Sequence, residues 1–152
     1  MTNLIQEMYT NVKARVVTDV KGRYFNIEKG VKQGDPLSPI LFNTALEEVF
    51  RKLDWENKGI SINGKKLSNL RFADDIVLFS SDINELEGML NELNELGKPA
   101  GLRINFEKTK ILSKNSEHVV RLEGTELEKV EEVVYLGPVS YTHLTLPTIY
   151  SV

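Results

Sequence analysis

Cysteine is absent from this sequence of 152 residues, which excludes both a disulfide framework and a thiolate metal site. Long apolar runs are absent too, since no stretch approaches the roughly 18 residues that a membrane span requires. The first residues lack the basic and then apolar pattern of a signal peptide, and there is no internal repeat or low-complexity linker. These absences predict a globular intracellular protein, in the nucleus or the cytoplasm, with no membrane partner.

The net charge is also small, −3 at pH 7, so the composition as a whole does not indicate a nucleic-acid partner. Basic residues are concentrated locally, however. Residues 13–32 hold six Lys or Arg against two acidic residues, and residues 103–114 hold four against one. Each patch is read either as a contact surface for nucleic acid or as a solvated face.

Two adjacent aspartates, Asp74 and Asp75, lie between the apolar runs of residues 70–72 and 76–79. Both runs are predicted as strands buried on at least one face, with the aspartates at the reversal of a tight hairpin. Adjacent carboxylates repel each other unless cations or water neutralise them, and a site for two hard divalent ions uses both. The alternative is an ordinary Asp-rich surface turn, because Asp bonds readily to nearby backbone amides.

A second candidate site is the loop of residues 30–39, which is dense in Gly, Pro and polar residues and leads into a helical pattern. Ser38 is placed to cap this helix and Pro39 to begin it. Gly34 lets another molecule come close, and Gln33 offers a donor and an acceptor beside it. Free amides at a helix start attract phosphate. A loop that only caps the helix is the alternative.

The remaining segments alternate between helix and hairpin signals with no regular strand–helix–strand repeat, which predicts an α+β fold. Helices are predicted near residues 3–12, 39–53 and 83–96, and a short basic hairpin is predicted to turn near Lys21-Gly22. Another hairpin should turn at Asn63-Gly64. We expect residues 70–79 to lie in a small antiparallel sheet, with the second and third helices packed on one face.

In this order the segments resemble the reverse transcriptases of non-LTR (LINE or RTE-like) retrotransposons, particularly the type in which an endonuclease precedes the polymerase. Residues 30–39 resemble motif B, which contacts the template and the incoming nucleotide. Residues 72–75, Phe-Ala-Asp-Asp, resemble motif C, the hairpin whose aspartates bind catalytic magnesium. Residues 101–109 resemble motif D, and Tyr135-Leu136-Gly137 resembles motif E at the palm–thumb junction. Several motifs in the family's order are far more specific than any one of them.

The resemblance implies that residues 1–137 are a fragment of a right-hand polymerase palm. Such a palm transfers nucleotides from deoxynucleoside triphosphates to a DNA primer on an RNA template. Asp74 and Asp75 would hold Mg²⁺, with Mn²⁺ also able to serve, and Lys108 of motif D would protonate pyrophosphate. A plain surface lysine facing phosphate is the alternative for Lys108. The residues implied to contact template and nucleotide are Gln33, Gly34, Asp35, Pro36 and Ser38.

The sequence also departs from the family. The motif A aspartate, which the family places upstream of the first helix, has no match here, and the fingers, thumb and endonuclease domains are missing. We therefore expect the isolated fragment to be inactive. Residues 138–152 contain no charged residue, resemble translated sequencing-adapter read-through, and are expected to be an artefact.

Two other functions remain open. One is the palm of another polymerase, such as a group II intron maturase or a viral RNA-dependent RNA polymerase. The other is a non-catalytic remnant that binds nucleic acid through its basic hairpin.

Overall fold

The computed structural model describes residues 2–28, 30–113, 118–133 and 148–150, and the chain divides into two compact units, Met1–Ser38 and Pro39–Val152. The first unit contains helix α1 (Thr2–Tyr9) and a ribbon of two short strands, β1 (Lys13–Ala14) and β2 (Phe25–Asn26). The predicted first helix and basic hairpin are thus both present. Inside the hairpin Val17 bridges to Lys21, so the chain reverses within residues 18–20, just before the predicted position.

The second unit combines helices with short strands, as predicted for an α+β fold. In chain order its elements are α2 (Ser38–Phe50, whose first residue belongs to the first unit), β3 (Ile60–Ile62), β4 (Lys65–Leu67), β5 (Asn69–Phe72), β6 (Asp75–Phe79), α3 (Ile83–Gly97), a 3-10 helix (Lys98–Ala100), β7 (Lys110–Leu112), β8 (Arg121–Leu122), β9 (Thr125–Glu126), β10 (Glu128–Val130) and β11 (Thr148–Tyr150). No helix in the described ranges is long and apolar enough to span a membrane.

A five-stranded sheet is the centre of this unit, with the strand order β10-β7-β11-β6-β5. β6 pairs with β5 and β11, and β11 pairs with β7, all antiparallel. β10 pairs with β7 in parallel. The prediction of an antiparallel sheet is therefore wrong for the outer strand β10. Strand β11, from the segment with no family resemblance, fills the place between β6 and β7.

Strand β6 is buried on both faces of this sheet. Ile76 and Leu78 belong to a cluster with residues of α2 and α3, whereas Val77 and Phe79 pack on the opposite side with residues of β3 and β4. Each buried side chain of this size stabilises the fold by about 1.5–3 kcal/mol. The prediction that both runs are buried is wrong for β5, an edge strand in which Leu70 is 45% and Phe72 62% exposed.

Helix α3 presents its apolar stripe to the same face as α2, so the two helices lie on one face of the sheet. The stripe consists of Leu86, Met89, Leu90 and Leu93, which join Leu46 and Val49 of α2 in one core. The side chain of Asp82 caps α3 by accepting from the amides of Asn84 (2.7 Å) and Glu85 (2.9 Å). This cap satisfies donors that a helix start leaves unpaired.

The segment between α2 and β3 is fixed to α3 by a shared carboxylate. Trp55 Nε1–H and the Lys58 ammonium both donate to Glu92 Oε2, each at 2.8 Å. Burial raises the pKa of Glu92, but the hydrogen bonds from Lys58 and Trp55 outweigh it and hold this pKa below its usual value.

Gly59, just before β3, has φ 94°, and a Cβ there would lie 2.2 Å from the Leu67 carbonyl oxygen. Only glycine fits so close an approach.

Candidate active site

The β5–β6 hairpin carries the two aspartates at its tip. Phe72 pairs with Asp75, so the two-residue loop consists of Ala73 and Asp74, one residue earlier than predicted. Asp75 is the first residue of β6. Ala73 has φ 53°, the sign that a type II′ turn requires at its first loop position, where glycine is usual. An exposed Asp74 and a half-buried Asp75 therefore sit beside a strained backbone.

The two carboxylates are directed differently. Strand alternation places Asp75 on the face of Val77 and Phe79, away from the helices. Asp74 instead lines a cavity of about 270 Å³ on the helix side, among apolar residues of α2 and α3. Its polar lining includes Asn94, Arg103 and Asn105. The lining of this cavity thus includes one carboxylate, one cation and two amides.

Arg71 connects the hairpin to helix α2. Its guanidinium lies 2.8 Å from Glu47 Oε2, and its Cζ is 4.2 Å from the centroid of the Phe50 ring. The ion pair is partly exposed and contributes modestly, but the planar contact with Phe50 adds a cation–π attraction. Arg71 therefore positions the strand that leads to Asp74. The sequence analysis did not single it out, although a lone arginine inside an apolar run was the available signal.

Lys108 lies in an exposed turn that is organised by Asn105. Asn105 Oδ1 accepts from the amides of Glu107 (3.1 Å) and Lys108 (3.2 Å), and its carbonyl accepts from the Thr109 hydroxyl at 2.7 Å. Asn105 thus contacts both the cavity and the backbone of Lys108. The lining of the Asp74 cavity includes Arg103 and not Lys108. Sequence reasoning had counted Arg103 in the basic patch of residues 103–114 but had not named it as a site residue.

The loop of residues 30–38 belongs to the first unit and is held by its own polar groups. The Ser38 hydroxyl donates to the Lys32 carbonyl at 2.6 Å and lies 3.3 Å from the Tyr9 hydroxyl. Asp35 Oδ1 accepts from the Leu37 amide at 2.9 Å. Helix α2 begins at Ser38 itself, one residue before the expected start. The buried Ser38 and the half-buried Asp35 therefore stabilise the loop.

Three other predicted residues of this loop remain accessible to a second molecule. Gln33, Gly34 and Pro36 are all exposed, and the space around Gly34 is open, with no atom within 4 Å of where a Cβ would be. Gly34 adopts φ 81°, which suits glycine. These three residues form an exposed surface of the loop.

The β5–β6 hairpin supplies two carboxylates as oxygen ligands for a hard cation. Asp74 and Asp75 supply the carboxylates that Mg²⁺ prefers, and Mg²⁺ usually takes one or two carboxylates together with water and substrate phosphates. Within the described ranges, no group of three or more Asp, Glu, His or Cys side chains is placed to hold a metal. The donor type fits the ion, and the pair alone leaves most of its coordination to other ligands.

Residues 1–139 match the family described as "Reverse transcriptase (RNA-dependent DNA polymerase)". The chain belongs to the reverse transcriptase family. The predicted resemblance to reverse transcriptases is confirmed at the level of the family, whereas the assignment of motifs B, C and D stays a prediction. Motif E, at residues 135–137, lies outside the described residues.

Curated relatives place this reverse transcriptase chain among retrotransposon proteins. It is 38% identical over 114 residues to the "Retrovirus-related Pol polyprotein from type-1 retrotransposable element R2" of Nasonia vitripennis, covering 74% of the chain and 11% of that protein. A protein of the same description from Popillia japonica is 36% identical over 113 residues, covering 72% of the chain and 18% of that protein. The "Retrovirus-related Pol polyprotein from type-2 retrotransposable element R2DM" of Drosophila melanogaster is 33% identical over 122 residues, covering 72% of the chain and 11% of that protein.

The matched segment therefore spans less than a fifth of the length of these relatives. The resemblance to non-LTR retrotransposon reverse transcriptases is confirmed by the R2 relatives. The narrower resemblance, to elements in which an endonuclease precedes the polymerase, stays a prediction.

Proposed function

We propose that this chain is part of an RNA-directed DNA polymerase of a non-LTR retrotransposon, which extends a DNA primer on an RNA template with deoxynucleoside triphosphates. The observation that carries the proposal is the β5–β6 hairpin, which presents Asp74 and Asp75 at its tip in a chain that matches the reverse transcriptase family. Such an enzyme copies RNA inside the cell, so we place it in the nucleus or the cytoplasm. Because the chain spans a small part of its relatives, this activity is that of a longer protein.

We assign residues 1–137 to a partial reverse transcriptase domain, which is a fragment of the polymerase palm. The mixed sheet with the aspartate hairpin, covered on one face by α2 and α3, supports this assignment. The end of the family match at residue 139 supports a boundary near residue 137. We assign no function to the tail of residues 138–152. The fingers, thumb and endonuclease belong to other parts of the parent protein.

In this proposal Asp74 holds Mg²⁺, or Mn²⁺ as a similarly hard cation, and Asp75, which is directed to the other face, supports the same ion less directly. When bound, the ion neutralises charge on the triphosphate and lowers the pKa of the primer 3′-hydroxyl. The strained turn keeps Asp74 exposed, and Arg71 keeps the hairpin against α2. Since the described residues offer no third carboxylate beside this pair, we propose that another part of the longer protein completes the site.

The other predicted site residues take separate roles. Gln33, Gly34 and Pro36 form the accessible surface for template and nucleotide, while Asp35 and Ser38 hold that loop in shape. The exposed Lys108 ammonium donates a proton from Nζ to the pyrophosphate leaving group as the oxygen–phosphorus bond breaks. Arg103, which lines the same cavity as Asp74, attracts the same phosphates.

A chimera tests this function. The matching segment of the Nasonia vitripennis relative is replaced by residues 1–137, and primer extension is measured on an RNA template with Mg²⁺. We expect extension by the chimera and at least a roughly 100-fold loss with Asp74→Asn, because electrostatic groups at reacting centres contribute about that much. Asp54→Asn, at an exposed aspartate in the segment between α2 and β3, is the matched control and should keep activity. Full activity of the Asp74→Asn and Asp75→Asn chimeras would overturn the assignment.

The isolated chain has a second candidate role, that of a non-catalytic remnant. The carboxylate pair without a third metal ligand in the described residues favours this role for the isolated chain. We expect the purified chain to show no primer extension above a variant with Ala at both Asp74 and Asp75, in Mg²⁺ or Mn²⁺. Incorporation above that background would show that the 152 residues form a complete site.

A further inference from the structure

The ribbon of β1 and β2 has two different faces. Lys13 pairs with Asn26 and Ala14 pairs with Phe25, and side chains alternate between the faces of a strand pair. The Arg15 guanidinium lies over the Tyr24 ring, with Cζ 5.0 Å from its centroid, so these two residues share a side. Lys13, Arg15 and Tyr24 therefore form one face, the basic-aromatic face, and Phe25 lies on the other.

The basic-aromatic face is exposed to solvent, and its two cations form no ion pair with an acidic side chain among the described residues. Tyr24 is 63% exposed, and the side chains of Lys13 and Arg15 are exposed as well. None of the ion pairs among the described residues involves either cation. An aromatic ring held by a cation and surrounded by unpaired positive charge is suited to an anionic ligand with flat, apolar groups.

We propose that the basic-aromatic face binds single-stranded nucleic acid, with one base stacked on Tyr24 and the neighbouring phosphates on Lys13 and Arg15. Base–aromatic stacking and a basic track are the two contributions that single-strand binding combines. A single strand fits better than a duplex, because its bases are free to leave the stack. The contact lies entirely within the first unit and does not require catalysis, so it extends the proposed function without depending on it.

The stacking contribution is tested with the full 152-residue chain and a labelled single strand of about a dozen nucleotides, using fluorescence anisotropy at low salt. Tyr24→Leu keeps an apolar side chain but removes the ring, and it should weaken binding at least about fivefold. Tyr24→Phe restores the ring and should bind within about twofold of wild type. Phe25→Leu removes an aromatic residue that is 53% exposed from the opposite face, and it should leave the affinity unchanged. Circular dichroism checks that each variant is folded.

The phosphate contribution is tested by salt dependence. Each cation that neutralises a phosphate of a single strand contributes about 0.7 to the slope of log Kd against log salt concentration. Replacing both Lys13 and Arg15 by Gln should therefore lower that slope by about 1.4. Lys65→Gln is the matched control, since Lys65 is an exposed lysine of the β3–β4 hairpin, which carries no aromatic residue.

Three results would overturn the proposal. Equal losses from Tyr24→Leu and Phe25→Leu would show that exposed apolar surface, and not a stacked base, drives binding. Equal affinity for single strand and duplex would exclude the stacking mode. No change in oligonucleotide affinity with any of these variants would show that this face does not bind the strand. An inactive chimera in the primer-extension assay would leave this binding result intact, so the two proposals fail separately.

Discussion

The strained tip of the β5–β6 hairpin predicts that Ala73→Gly stabilises the protein. Ala73 adopts φ 53°, where a residue with a Cβ is disfavoured by about 1–2 kcal/mol. Glycine removes this cost, but it also gives the unfolded chain more freedom, which costs about 0.4–1 kcal/mol. The net gain in the free energy of unfolding should be about 0.8 kcal/mol, which raises the melting temperature by about 2–3 °C in a chain of this size.

Urea unfolding of three variants measures this gain. Asn63 has φ 50° in the β3–β4 turn, but Asn tolerates this conformation, so Asn63→Gly should gain less than Ala73→Gly. Ala100→Gly, in the 3-10 helix, should lose about 0.5–1 kcal/mol, because its backbone needs no glycine. If Ala73→Gly is no more stable than wild type while Ala100→Gly behaves as stated, the turn stores no strain and the argument fails.

Three further predictions concern charges. Magnesium at ten times its dissociation constant should stabilise the chain by about 1.4 kcal/mol, and Asn at both Asp74 and Asp75 should abolish that effect in thermal unfolding; a retained effect would place the ion elsewhere. Because the folded-state pKa of Glu92 is lowered, Glu92→Gln should destabilise the protein most at neutral pH. The difference in melting temperature between wild type and this variant should shrink as pH falls below 4.5. A difference that persists in acid would show that the charged carboxylate does not stabilise the fold. Arg71→Met keeps the apolar stem but loses the contacts with Glu47 and Phe50. It should lower the free energy of unfolding, measured by chemical denaturation, by about 1 kcal/mol. Unchanged stability would show that Arg71 does not hold the hairpin.

Local chemistry made several elements predictable. The Asn63-Gly64 turn has φ values of 50° and 78°, the positive pair that a type I′ hairpin turn requires. Helix α3 was predictable because the residues of its apolar stripe and its cap, Asp82, lie in one continuous segment of the sequence. The aspartate hairpin was found for the same reason, since its strands are consecutive in the chain.

Features set by distant partners could not be read from the sequence. The exposure of Leu70 and Phe72 depends on the edge position of β5, which residue type does not specify. The parallel pairing of β10 with β7 could not be predicted, because the local sequence patterns of these segments do not specify whether they pair in parallel or antiparallel. The cavity that both Arg103 and Asp74 line depends on how α2 and α3 pack over the sheet.

The place of β11 in the sheet has a consequence for the order of folding. β6 and β7 are buried strands, yet each hydrogen-bonds to Thr148–Tyr150, far along the chain from both. Loop closure over such a separation is slow relative to hairpin formation, so β5 and β6 pair first, while the inner edges of β6 and β7 stay unpaired. Unpaired apolar edges recruit other strands. Until residues 148–150 pair, the central gap of this sheet is therefore a place where the chain can aggregate.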